Sequence, residues 1–292
     1  MSTEYTYPAT NPNAEPGHPG NTTPEDDARV VQLREQLHAE GYTDRTDTNT
    51  LLRFLRAVKN EADLVGKAKD KFVEVEKWRK EFEVDKLVEE FEYTEKDKVF
   101  EYYPQYYHKT DKDGRPLYFE RLGKINLKKM KAITDEKRMI QNLVVEYERV
   151  ADDRLPACSR KAGKLLETCC TVLDLQGVGP KTIWDSMDFL RKINQISSTY
   201  YPERLGKLLI INPPTLFNAC FNTIKGFLDP VTANKIKICK LPELLDYIPA
   251  ENLPVDFGGQ CTCEDLGGCH RSDAGPWNEE KYTQPSLTDV KL

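Results

Sequence analysis

The chain has 292 residues, of which 39% are hydrophobic and 31% charged, with a formal net charge of −6. That length suits one large core or two small domains, and the acidic balance argues against wholesale nucleic-acid binding. No apolar run approaches the roughly 20 residues needed to cross a bilayer, and the N-terminus lacks the basic, apolar, small-residue order of a signal peptide. A cytosolic setting is expected, with the eight cysteines kept mostly as reduced thiols.

Residues 1–24 carry five prolines (Pro8, Pro12, Pro16, Pro19, Pro24) and few large apolar groups, and read as a mobile arm or a surface strap. A helix is expected over 25–40, with Val30, Leu33 and Leu37 on one face and Gly41 at its stop. Asp47 suits the cap of a short helix and Asp63 the cap of a longer one. On the longer helix Leu64, Ala68, Phe72, Val75, Trp78 and Phe82 form one stripe. This helical block, 25–95, reads as packing, with Arg53, Arg56 and Lys59 left as residues able to face a ligand.

From 96 to 260 the pattern changes. Tyr102, Tyr103, Tyr106, Tyr107 and Tyr118 crowd together, and the turn 111–114 separates strand-like pieces at 105–109 and 116–121. Tyrosines on strands suit either a core or a pocket that needs an apolar body and a polar tip. Thr134, Asp135 and Glu136 open a helix with Met139, Leu143, Tyr147 and Val150 as its stripe. The run 168–177, rich in Thr, Val and Leu, reads as a buried central strand ending at Gly177. Strands at 207–212 and 236–239 follow after helical stretches. Strand–helix alternation predicts an α/β fold with a mostly parallel, buried sheet. In the first intervening helix Ile183, Met187, Leu190 and Ile193 have helical spacing. The stretch 213–228 spreads Leu216, Phe217, Cys220, Phe221, Ile224 and Phe227 around more than one stripe, so it is either deeply buried or covers something apolar.

Catalytic motifs are scarce. GVGPKT at 177–182 imitates a phosphate loop, but its glycines are two apart and Pro180, with no N–H, precedes Lys181. No Gly-x-Ser-x-Gly elbow is present. The four histidines, His18, His38, His108 and His270, suggest no nucleophile–base pair, and His108 reads as structural. The weak zinc candidate is Cys261, Cys263, Cys269 and His270, a Cys3His set. Its spacing departs from the common fingers, so 261–292 reads as a loose tail with incidental thiols.

Seven stretches carry a resemblance: LLRFLRA at 51–57, EKWRK at 76–80, YPQYYHKTDKDGRP at 103–116, RLPACS at 154–159, YYPER at 200–204, FLDPVT at 227–232 and PAENLP at 249–254. Together they resemble the fungal phosphatidylinositol/phosphatidylcholine transfer proteins of the CRAL-TRIO lipid-binding family, over roughly residues 16–277. The resemblance implies a helical N-terminal domain, then a lipid-binding lobe with a sheet floor and a gating helix over an apolar cavity. The stretch 215–228 matches the gate, with Phe217, Phe221, Ile224 and Phe227 as gate or acyl-cavity residues. No catalysis and no cofactor are implied beyond one bound phospholipid.

The same resemblance implies a phosphatidylcholine-headgroup subsite at Tyr107, Tyr118, Cys169 and Thr171. Hydroxyls there donate to a phosphate and tyrosine faces meet a quaternary ammonium. Cys169 departs from the family's serine and weakens one donor. The phosphatidylinositol-headgroup subsite carries over to Lys59, Glu203, Arg204, Thr232 and Lys235. Here Val58 stands where the family has an arginine, which removes a bidentate phosphate contact.

The expected role is lipid transfer and presentation by a monomer at a transient membrane surface. The resemblance implies a cytoplasmic protein peripherally associated with Golgi or endosomal membranes, coupled to phosphoinositide kinases, with no nucleic-acid partner. The rivals are a related binder of a sterol, isoprenoid or haem, and an α/β enzyme acting on nucleotides or esters.

Overall fold

The computed structural model describes residues 7–215, Phe217 and residues 230–283. Residues 7–23 form a strap. The Thr10 carbonyl accepts from the Leu165 N–H at 2.8 Å, and the Gly17 carbonyl accepts from Arg56 Nη1 at 3.1 Å.

Three helices make the first layer. α1 (Pro24–Ala39) opens with a reciprocal capping box between Thr23 and Asp26 and buries Val30, Leu33 and Leu37. α2 (Thr48–Ala57) is capped by Asp47 and α3 (Leu64–Glu81) by Asp63. Both caps satisfy N–H groups that a helix leaves open. The three helices close around Leu33, Leu51, Phe54, Ala68 and Phe72. α4 (Val84–Glu90) and α5 (Lys96–Phe100) lead from there into the sheet.

The sheet has five strands in the order β1-β2-β3-β4-β5. β1 (Gln105–Thr110) and β2 (Pro116–Arg121) are an antiparallel hairpin. β3 (Cys169–Asp174), β4 (Leu205–Ile211) and β5 (Ile236–Ile238) continue from β2 in parallel. Short α6 (Leu127–Lys131), then α7 (Glu136–Arg149), and α8 (Leu155–Ala162) separate β2 from β3, and a π-helical turn, Val150–Arg154, joins the last two. α9 (Pro180–Tyr200) crosses from β3 to β4 and starts with Pro180 in its first turn. GVGPKT is therefore a strand–turn–helix connection.

Alternation along the strands gives the sheet two unlike faces. Leu117, Phe119, Cys170, Val172, Leu209 and Ile211 point to one side and pack under Leu244, Ile248, Leu253 and Phe257. Gly258 and Gly259 make the turn that lays this cover down. Gly258 has φ +85°, and a Cβ on Gly259 would meet the Leu253 carbonyl oxygen at 1.9 Å. The other face of the sheet packs in part on Val150, Leu155, Ala157 and Leu166 and in part borders a cavity, and the site lies there.

Two buried ion pairs join the helical layer to the sheet lobe. Arg56 of α2 donates to both Glu167 oxygens at 3.1 and 3.2 Å. Arg79 of α3 donates to Glu148 of α7 at 2.7 Å, and the Tyr201 hydroxyl donates to the same oxygen at 2.6 Å. Trp78 stacks on Tyr200 with ring centroids 4.0 Å apart.

Two expectations shift. The α9 stripe is rotated: Ser186 and Phe189 are buried, with Leu190, Ile193 and Ile196 half-buried, while Ile183 is exposed. The helix buries this flank because its neighbouring flank lines the cavity through Asn194, Ser197 and Ser198. The Cys-containing segment is not loose. The N–H of Cys261 donates to the Leu253 carbonyl at 3.0 Å, and the short helix Cys269–Ser272 lies on β1.

Candidate functional site

Above this second face of the sheet is a cavity of ≈ 1160 Å³. That exceeds the roughly 300–1,000 Å³ of ordinary small-molecule pockets. Its floor follows from strand register. Tyr107 pairs with Tyr118 across β1 and β2, and Tyr118 pairs with Thr171 across β2 and β3. These three residues form one transverse row, and Cys169 stands two positions back on the same face, as a two-residue period requires. All four line the cavity. Cys170, between Cys169 and Thr171, turns the other way into the closed core.

Burial sets the chemistry of this row. It lifts the Tyr107 and Tyr118 phenols well above their ordinary range and pushes the Cys169 thiol up to about 12. All three stay protonated and act as neutral donors. The Tyr107 and Tyr118 rings are 4.9 Å apart at 41°. The Arg154 guanidinium lies 4.2 Å from the Tyr107 ring centroid, so one face of that ring already carries a cation.

Arg154 comes from the π-helical turn, a feature that often marks functional positions. Its side chain is nearly sealed and donates to Glu146 at 2.9 Å and to Asp273 at 3.2 Å. Burial would lower its pKa, but the two carboxylates outweigh that and raise it. Two residues along from Tyr118, Glu120 also faces the cavity and accepts a bond from the Tyr103 hydroxyl. Burial raises its carboxyl pKa, opposed by that hydrogen bond.

The expected inositol-lipid residues are only partly gathered. Glu203, Arg204 and Lys235 line the cavity, and Lys235 Nζ is 3.7 Å from Glu203. Arg204 donates to the Glu167 carbonyl at 3.2 Å. Behind it Arg53, shut in by burial and facing the Arg204 charge, has its pKa lowered to about 9, and its Nε has no hydrogen-bond partner among the described residues. Lys59 does not join them: α2 ends at Ala57, and the chain carries Lys59 outward to an exposed position that does not line the cavity. Val58 is the C-terminal cap of α2, half-buried against the helical core. Thr232 lies on the short helix Pro230–Lys235. Of the gate residues, Phe217 is half-buried, with its N–H bonded to the Pro214 carbonyl at 2.8 Å. Phe221, Ile224 and Phe227 lie outside the described residues.

The weak zinc set needs a correction. Cys261, Cys263 and Cys269 do come together, but the imidazole among them is that of His108, not His270. Adjacent residues in a helical turn diverge by roughly 100°, so Cys269 and His270 cannot both turn inward. His270 instead meets the Tyr106 ring edge-on, with centroids 6.4 Å apart.

Sequence reasoning missed Glu120, Tyr147 and Ser197 as cavity-lining groups and Arg154 as the cation over the Tyr107 ring. Strand alternation from Tyr118 could have found Glu120. Arg154 sits inside RLPACS, which carried the resemblance without a role for its arginine. In α7, Leu143 and Tyr147 line the cavity instead of the core.

Comparison with known proteins places this geometry. The CRAL/TRIO domain family matches residues 100–259. The Sec14 cytosolic factor of Schizosaccharomyces pombe is 52% identical over 279 residues, covering 94% of this chain and 96% of that protein. A phosphatidylinositol/phosphatidylcholine transfer protein of Arabidopsis thaliana is 41% identical over 235 residues, covering 79% of this chain and 43% of its own length. A crystal structure of Sfh5 is similar in fold, with a TM-score of 0.56 at 17% identity, covering 94% of this chain and 84% of that one. No helix among the described residues is long and apolar enough to cross a membrane.

Proposed function

The chain belongs to the CRAL/TRIO domain family, and from that membership we propose that it carries one phosphatidylcholine or phosphatidylinositol at a time between membranes. The observation that supports this most is the row Tyr107–Tyr118–Thr171 with Cys169 on the cavity floor. A phosphocholine headgroup has one phosphate charge and a quaternary ammonium. Neutral hydroxyl donors and aromatic faces suit both parts without leaving a buried protein charge unpaired.

An inositol phospholipid uses a second locus. Arg204 and Lys235 supply positive charge there, and Glu203 an acceptor for Lys235 or for an inositol hydroxyl. The valine at 58 removes a cation, and Arg204 with Arg53 behind it is the substitute this chain offers. Both lipids share one acyl cavity. Carrying them through water without cover would expose acyl chains at about 0.8 kcal/mol per CH2, tens of kcal/mol for a whole lipid. No bond is made or broken.

The chain works as a monomer, peripherally on Golgi and endosomal membranes, and couples lipid exchange to phosphoinositide kinases. The direct test is transfer of labelled phosphatidylcholine and phosphatidylinositol between donor and acceptor vesicles. Substoichiometric protein should accelerate both. Acceleration of neither refutes the reading.

A further inference from the structure

Outside the lipid cavity floor, the most organised cluster of reactive groups is where the C-terminal segment meets β1. His108, Cys261, Cys263 and Cys269 each present a ligand atom, and these atoms all lie within 4.8 Å of one another. We propose that these four residues form a closed structural zinc site that fastens residues 261–283 to the sheet.

Distances carry the first part of the argument. A tetrahedral ion with bonds of about 2.3 Å to sulfur and 2.0–2.1 Å to nitrogen sets neighbouring ligand atoms roughly 3.5–3.8 Å apart. The Cys261 and Cys263 sulfurs are 3.5 Å apart, and His108 Nε2 is 3.3 Å from the Cys261 sulfur. A disulfide needs about 2.05 Å, and every described cysteine is a free thiol. The spacing fits a shared ion better than a covalent link.

The second part is the imidazole. His108 is fully buried on β1. Its Nδ1 is 3.0 Å from Ser272 Oγ, whose own proton goes to the Cys269 carbonyl at 3.0 Å. That oxygen therefore accepts, Nδ1 carries the ring proton, and the Nε2 lone pair is left for the sulfur side, with Cys261 Sγ 3.3 Å away. Outer-shell bonds of this kind orient metal-bound histidines.

The third part is charge. Zinc with three thiolates and a neutral imidazole keeps one excess negative charge. The Lys109 ammonium lies 3.0 Å from the Cys261 sulfur and offsets it. Three sulfurs and one imidazole in a tetrahedral set select zinc over hard, oxygen-seeking cations. The consequence reaches the cavity, because the fastened segment supplies Asp273, which holds Arg154 against the Tyr107 ring.

The test uses the full chain purified under reducing conditions. Elemental analysis should find about one zinc per chain. Cobalt added after chelation should give the visible absorption of tetrahedral, thiolate-bound cobalt. His108→Ala and Cys269→Ser should weaken zinc binding by roughly tenfold or more, while His270→Ala should leave it unchanged. Should the ligand variants fail to fold, the wild-type stoichiometry and cobalt spectrum still decide. No stoichiometric metal together with no thiolate–cobalt absorption overturns the proposal. So does zinc lost in His270→Ala but kept in His108→Ala.

Discussion

At the scale of single residues, the headgroup row makes the sharpest claims. Thr171 offers a hydroxyl at the end of the Tyr107–Tyr118–Thr171 row. A hydrogen bond to a charged phosphate is worth about 1.5–3 kcal/mol. Thr171→Val should therefore cut phosphatidylcholine binding roughly tenfold or more, with phosphatidylinositol binding little changed, in competition measurements against one labelled lipid. Cys169→Ser should act the other way. Burial keeps the thiol protonated, with its pKa up at about 12, and a hydroxyl is the stronger donor. The gain is about 1 kcal/mol, close to fivefold in phosphatidylcholine affinity. Val58→Arg should raise phosphatidylinositol transfer several-fold, and an unchanged rate would show that Arg204 and Arg53 already do the work. The resemblance names these positions by residue type at fixed places in long motifs, and strand register brings Tyr107, Tyr118, Cys169 and Thr171 onto one cavity wall. Lys59 was carried over in the same way, and the structure leaves it exposed. A motif fixes sequence neighbours, while the end of α2 at Ala57 decides where they point.

Elements were read best where local chemistry is strong. The expected caps Asp47 and Asp63 each bond a first-turn N–H, Asp135 does so within the expected start at 134–136, and the three helices begin one residue later. The hairpin and the three parallel strands sit within three residues of their expected bounds, the largest miss being the end of β3 at Asp174 instead of Gly177. Harder to read was which flank of a helix is buried. In α7 apolar residues border the core and the cavity alike, and in α9 the apolar residues spread wider than one stripe beside a polar cavity flank of Asn194, Ser197 and Ser198, so spacing alone gives two answers. The joints between elements were invisible, since they pair residues far apart in sequence. Arg79 and Glu148 are the main example. Removing one partner of a buried, hydrogen-bonded pair costs about 3–5 kcal/mol. Glu148→Ala, which also orphans the Tyr201 hydroxyl, should lose that much in denaturant unfolding. A second joint has a pH signature. Arg138 of α7 donates twice to Glu95, at 2.7 and 2.8 Å. That bond lowers the Glu95 carboxyl pKa from 4.5 to about 2. A carboxylate depressed in the folded chain stabilises it above its unfolded value and ceases to as pH falls through the folded one. Glu95→Gln should lower the melting temperature near neutral pH. The gap from wild type should close between about pH 4.5 and pH 2.

For the whole molecule, the division of labour follows from the two faces of one sheet. One face is closed by residues from Leu244 to Phe257 and anchors the lobe. The other borders a cavity of ≈ 1160 Å³ beside the cluster of Tyr107, Val150, Leu155, Leu166 and Cys169. A parallel sheet normally buries both faces, so a cavity of this size bordered by buried donors and paired charges suits a ligand of matching size. The helical layer braces the lobe through Arg56–Glu167 and Arg79–Glu148, and the strap and C-terminal segment wrap it from outside. The account rests on that cavity being filled by a phospholipid. Its most direct test is to extract the purified protein and identify the bound lipid by mass spectrometry. The account predicts about one phospholipid per chain, a mixture of phosphatidylcholine and phosphatidylinositol. A chain that carries neither, and instead a sterol, an isoprenoid or a coloured ligand, would contradict it.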